Sequence, residues 1–226
     1  MNQTPVNPYT MLEIAAQCFE TQGYDQTTLN QIAEQADMPL ELLERDFCCK
    51  AHLALHAYQH LSAQYHDADD DLPDGTIADR YYLMLGDQLG LLSAYPETIS
   101  AVFAGAMRPQ STVSASDISP GMRDPLMQRI QHLVADASDT PSRDSEALAL
   151  FLYAFHFLMT VFWLYDRSED KQASQLFADF MREVIKLMRP MMVMPLVAKA
   201  LNKVAMLMMV VFGGARLVDP TSSTAE

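Results

Sequence analysis

Between Met11 and Leu53 the apolar residues fall into three short helical blocks separated by two breaks, and this spacing constrains the fold more than any other feature. Leu12, Ala15, Ala16 and Phe19 follow the i, i+3, i+4, i+7 pattern of a core-facing helix. Gly23-Tyr24 breaks that helix. Thr28-Leu29-Asn30-Gln31 has the T-x-x-Q form of a capping box and starts a second helix, with Ile32 and Ala33 inward and an end near Asp37. A third begins about three residues later, with Leu43 and Phe47 spaced i, i+4. Two short helices joined by a tight turn predict a helix-turn-helix, whose second member is the one that enters a DNA groove.

The remainder continues in helical periodicity. A fourth helix is expected from about Lys50 to Tyr65, stopped by the acidic, turn-rich run from His66 to Gly75. Helices are expected from Thr76 to about Ala94, from Pro96 to Met107, and from Met122 to about Ala135, with a Ser-rich loop at 110–120. Ser145 to Tyr165 is apolar almost all round, which marks a helix covered on more than one side. Asp170 to about Arg189 is amphipathic, with Leu176, Phe177, Phe180, Val184, Ile185 and Met188 expected inward. Pro190 to Gly214 is Met-rich, and its uncharged stretch from Val204 to Phe212 is too short for a bilayer, which needs ~20 residues. It is expected to pack on the subunit or its partner, without integral membrane association. No strand pattern or internal repeat is visible, so the expected fold class is all-α.

With 226 residues, half of them hydrophobic, the chain can bury a substantial core. Its net charge of −14 is read first as a solvated surface. Cys18, Cys48 and Cys49 form an odd, unspaced set, and MNQTPVNPYT has neither a basic region nor an apolar core, so a reducing cytoplasm is the expected location. No Gly-rich phosphate loop, nucleophile elbow, H-E-x-x-H or paired-Cys motif is present, so no catalysis and no cofactor are expected.

Residues 11–53 resemble the DNA-binding domain of the TetR family of bacterial transcriptional regulators. The resemblance rests on the first helix, Phe19 with Gly23-Tyr24, the Thr27-Thr28 pair, Ile32-Ala33, and then Phe47, Lys50 and Leu53. It covers about a fifth of the chain without a gap. It implies a helix-turn-helix domain at 8–49 and a helical ligand-binding and dimerisation domain at 50–214, and the residues at 215–226 are themselves expected to be a disordered tail. The resemblance also implies a homodimer through residues 145–189, an operator DNA partner and a small hydrophobic ligand. Where the family usually has Gly at the turn, this chain has Asp37. Pro39 replaces the usual Ser or Thr cap, and Leu40, Glu41, Leu42 and Glu44 stand where Lys, Gly, Thr and Tyr are usual. By position in the motif, Thr27, Thr28 and Lys50 are expected at phosphates and Arg45 at a base edge, with Pro39, Leu40, Glu41 and Glu44 on the same surface. Arg45 and Lys50 are the only cations in the first fifty residues, so the expected phosphate attraction is thin.

Two further groups are candidates. Met84, Phe103, Met107, Met127, Phe151, Phe155 and His156 are residue types that line adaptable apolar pockets, although any helical core uses the same ones. His52, His56 and His60 lie at i, i+4, i+8 with Cys48 a turn earlier, the spacing a metal site needs. With no carboxylate in that stripe, a solvated histidine face is the simpler reading. A scaffold of this kind that has lost operator binding and docks a protein through Leu40 and Leu42 is the alternative.

Overall fold

The computed structural model describes residues 8–67, 72–106, 125–141 and 145–191, with isolated positions at 199, 200, 203 and 207. All regular structure among these residues is helical, as the periodicity predicts. The expected loop at 110–120, Met107 and the terminal tail lie outside the described residues, as does nearly all of the Met-rich segment.

The N-terminal unit consists of α1 (Pro8–Gln22), α2 (Leu29–Gln35) and α3 (Leu40–Asp46). Ala15, Ala16 and Phe19 of α1, Ile32 and Ala33 of α2, and Leu43 of α3 are buried together and close a small shared core. The capping box forms in both directions. Gln31 N–H donates to Thr28 Oγ1 at 3.2 Å, and Thr28 N–H donates to Gln31 Oε1 at 2.8 Å. At the other end of α2, Met38 N–H donates to Ala33 O and Asp37 N–H to Glu34 O, the paired closure of a Schellman turn. That turn places Asp37 at φ +50°, a left-handed angle that Asp tolerates better than most residues with a Cβ.

The long α4 (Lys50–Asp67) packs on α1 and on α6 (Pro96–Ala106), joining the N-terminal unit to the rest. The larger part comprises α5 (Ile77–Ala94), α6, α7 (Pro125–Ala135), α8 (Ser145–Tyr165) and α9 (Gln172–Met191). Helix α8 touches α5, α6, α7 and α9, which explains its nearly uniform apolar sequence. It is long and apolar enough to cross a membrane by length and composition, but 61% of its apolar window is buried against these neighbours. Its apolarity is used in packing.

The corner between α8 and α9 is built around Asp166. Its carboxylate accepts from Ser168 Oγ, Ser168 N, Ser174 Oγ and Ser174 N, all within 2.6–2.8 Å. These bonds, the Ser168 hydroxyl first, hold the Asp166 carboxyl well below the ordinary aspartate range. Lys171 closes the corner by donating to the carbonyls of Trp163 and Asp166 while sitting over the Trp163 ring. Asp170 and Lys171 both take left-handed angles in the short 3-10 turn Glu169–Lys171, which this network holds in place.

One expectation about α9 is corrected. Ala178, Met181 and Ile185 are the buried apolar residues, whereas Leu176, Phe180 and Leu187 are exposed at 67%, 59% and 68%. Leu176 and Phe180 therefore do not face the subunit's own core. The apolar stripe of α9 is wider than one neighbour can cover, and the half-buried Phe177, Val184 and Met188 connect its two sides. Leu158, Phe162 and Tyr165 of α8 add to the outward apolar surface.

Candidate nucleic-acid interface

The outward surface of α3 carries Glu41, Leu42, Glu44, Arg45 and Asp46, all exposed, while Leu43 is fully buried beneath them. Pro39 is the exposed N-cap residue, in extended conformation and without a side-chain bond to offer the helix. Leu40 is half-buried against the core, so it is a packing residue as well as a surface one. Arg45 is tied along its own helix to Asp46, with Nε–Oδ1 at 2.9 Å and Nη2–Oδ2 at 3.3 Å. The guanidinium has donors left over, but its charge is offset where a phosphate would need it.

Two expected phosphate contacts are corrected. Thr27 is 1% exposed, and its hydroxyl donates to Gly23 O at 2.9 Å with Cys18 O at 3.2 Å. It closes the loop between α1 and α2 and has no surface to present. Lys50 is also turned inward. Its ammonium donates to Tyr24 O at 2.6 Å, Thr27 O at 2.9 Å and Asp25 O at 3.3 Å, and lies 4.3 Å from the centre of the Tyr24 ring. An ammonium has three protons, and three carbonyls receive them. Lys50 thus pins the start of α4 to the α1–α2 loop. Thr28 remains on the surface, its hydroxyl engaged in the cap.

The histidine stripe divides. His52 and His56 approach with their Nε2 atoms 3.1 Å apart, and the Phe47 ring packs against both. Burial, then the neighbouring His52, lowers the pKa of His56. His60 instead faces Glu13 of α1 at 3.3 Å, with Gln64 bridging the two, and stacks on Tyr9. A carboxylate does meet the stripe, contrary to the sequence expectation, because α1 supplies it. Among the described residues no three His, Cys, Asp or Glu side chains are grouped to hold a metal.

The expected pocket residues also separate. Met84, Phe103, Met127, Phe155 and His156 are buried and Phe151 half-buried. Phe103 packs between Tyr58 and Phe157, whereas Phe155 turns to Phe177 of α9. Phe157 therefore stands beside Phe103, and Phe155 serves the α8–α9 contact. Gln88, one turn beyond Met84 on α5, was not legible as a site residue. It is 5% exposed, and its Nε2 donates to His156 O at 2.7 Å and Thr160 Oγ1 at 2.6 Å. Its Oε1 is buried without a hydrogen-bond partner among the described residues, an uncommon and costly state.

A second unanticipated contact links the two parts. Glu20 of α1 accepts from Glu97 N at 3.0 Å, Thr98 N at 2.9 Å and Thr98 Oγ1 at 2.8 Å. The two backbone N–H groups are orphan donors in the first turn of α6, so a carboxylate from the N-terminal unit caps a helix of the body. Pro96 at the first helical position was the sequence signal for that helix start, but its capping partner lies 77 residues away.

No family model matches the chain, and no curated protein matches it. Among solved structures it is similar to that of a protein with unknown function from Rhodococcus sp. RHA1, at 17% sequence identity and a TM-score of 0.50. The alignment covers 76% of this chain and 92% of that one. At this identity the likeness is one of fold, and the chain is an all-helical protein of that general architecture.

Proposed function

We propose that the chain is a homodimeric, one-component transcriptional regulator of the TetR type, with α2 and α3 as its helix-turn-helix and α3 as the reading helix. The observation that carries this reading is the α2–α3 pair itself. A two-way capping box at Thr28, a Schellman turn at Asp37 and a shared core through Leu43 fix two short helices across the tight turn that a helix-turn-helix uses. Arg45 is the base-contact candidate, and Thr28 with the exposed N-terminus of α2 is the backbone contact. The apolar faces of α8 and α9 meet those of a second copy across a two-fold axis.

The ligand would occupy the body around Met84 and Gln88. It is apolar over most of its surface but carries one N–H or O–H donor for Gln88 Oε1. Its effect on operator binding requires that it favour one dimer geometry over the other. The Glu20 cap on α6 would couple the body to the reading head. Selection of bound sequences from random DNA at low salt tests the reading. Recovery of a palindromic consensus supports it, and recovery of no enriched sequence opposes it.

A second reading is favoured by a specific observation. Three carboxylates and the exposed Leu42 share the outer surface of α3, and Lys50 is committed internally. On that reading the same scaffold docks a basic protein partner. Co-purification of a protein in place of DNA would favour it.

A further inference from the structure

Residues 47–49 are the only link between α3 and α4, and two of the three are cysteines. Cysteine is among the residue types most often buried, and Cys18 follows that rule at 1% exposure. Cys48 is exposed and Cys49 half-buried, with their Sγ atoms 3.8 Å apart. Neither side chain contributes to the helix ends beside it. The Phe47 backbone N–H closes α3 on Leu43 O, and the Cys49 carbonyl accepts from Leu53 N–H to open α4. The two thiols are therefore adjacent, accessible and unused by the fold.

We propose that Cys48 and Cys49 form a vicinal dithiol site for a soft trivalent centre of the arsenic(III) class. Soft thiolate ligands select soft centres. A direct disulfide is the poorer product. Adjacent Cα atoms across a trans peptide are about 3.8 Å apart, short of the about 4.4–6.8 Å that disulfides favour. One bridging atom relieves that constraint, because two bonds to a large atom span a sulfur separation near the existing one. With an organoarsenic oxide, two S–H bonds break and two As–S bonds form. Both protons leave with the arsenical oxygen as one water, and arsenic stays trivalent. The hydrogen bond between the thiols raises the Cys48 pKa. The bridge would stiffen the link that sets the direction of α3 relative to α4. The site does not depend on whether α3 binds DNA.

The test is intact mass spectrometry of the full chain after phenylarsine oxide treatment. One phenylarsenic group per chain is expected, retained in excess 2-mercaptoethanol and removed by 2,3-dimercaptopropanol. Cys48→Ser and Cys49→Ser should each lose the monothiol-resistant adduct, and Cys18→Ser should keep it. In the wild-type protein the adduct should protect Cys48 and Cys49, identified by peptide mapping, from iodoacetamide. Removal of the wild-type adduct by 2-mercaptoethanol would overturn the proposal. So would its survival in Cys48→Ser, or alkylation of both thiols with the adduct in place.

Discussion

The outer faces of α3 and α9 are both exposed, yet they are suited to different neighbours. On α9, Leu176, Phe180 and Leu187 stand on one side of a helix whose other side is buried through Met181 and Ile185. On α3, exposed carboxylates surround a guanidinium already tied to one of them. The α9 face loses little by meeting an apolar copy of itself. The α3 face has little with which to neutralise a polyanion. The fold of the N-terminal unit is tightly specified while its outer surface is poor in free cations, so its shape and its charge are set by different residues.

The largest expected effects separate the two sides of α9. Ile185→Asp buries an unpaired charge inside one subunit, and even Ile185→Ala should cost about 2–5 kcal/mol of stability. Phe180→Asp should leave each subunit folded and raise the dimer dissociation constant on the order of a hundredfold, since each two-fold interface contains the change twice. Circular dichroism melts with sedimentation equilibrium separate these outcomes. A wild-type protein that is monomeric at micromolar concentration would remove the basis of the comparison.

A smaller effect tests what Lys50 does. Lys50→Met keeps most of the apolar stem over Tyr24 but strands three carbonyls, and should lower stability by about 2 kcal/mol. If the folded variant loses only DNA affinity at unchanged stability, the ammonium faces phosphate after all. Glu20→Gln weakens the cap on α6 and should cost about 1 kcal/mol, with faster amide exchange in residues 96–99.

Acid stability reports on the α8–α9 corner. Asp166 has a depressed folded-state pKa, so its contribution is complete above the unfolded-state value near 3.8 and is lost as pH falls from there through the folded value. Asp166→Asn should be less stable than wild type at neutral pH, and the difference should shrink below pH 3.8. A difference that stays constant through that window would show that the corner does not depend on the carboxylate charge.

The parts legible in the sequence are those whose partners lie within a turn or two. Thr28 and Gln31 cap each other, Asp37 closes the turn beside them, and α8 declares its burial through its own composition. Lys50 could not be read in this way, because the carbonyls that hold it belong to a loop some twenty-three to twenty-six residues earlier. Glu20 failed for the same reason over a longer separation. Periodicity identified α9 as amphipathic, but an apolar stripe wider than one neighbour does not say which edge is core and which is interface. The spacing of residues 12–53 set out the helices and the turn between them, but spacing carries no information on which way a lysine turns.

A fluorescence-anisotropy titration of the wild-type protein against DNA selected from a random pool, across a range of salt concentrations, tests the regulator reading most directly. Measurable, sequence-dependent binding is expected at low salt, with a shallow slope of log affinity against log salt. Binding should be lost by physiological ionic strength. The double replacement Glu41→Gln with Glu44→Tyr should strengthen it. Failure of the wild type and the double variant alike to bind any selected DNA at low salt would contradict the regulator reading.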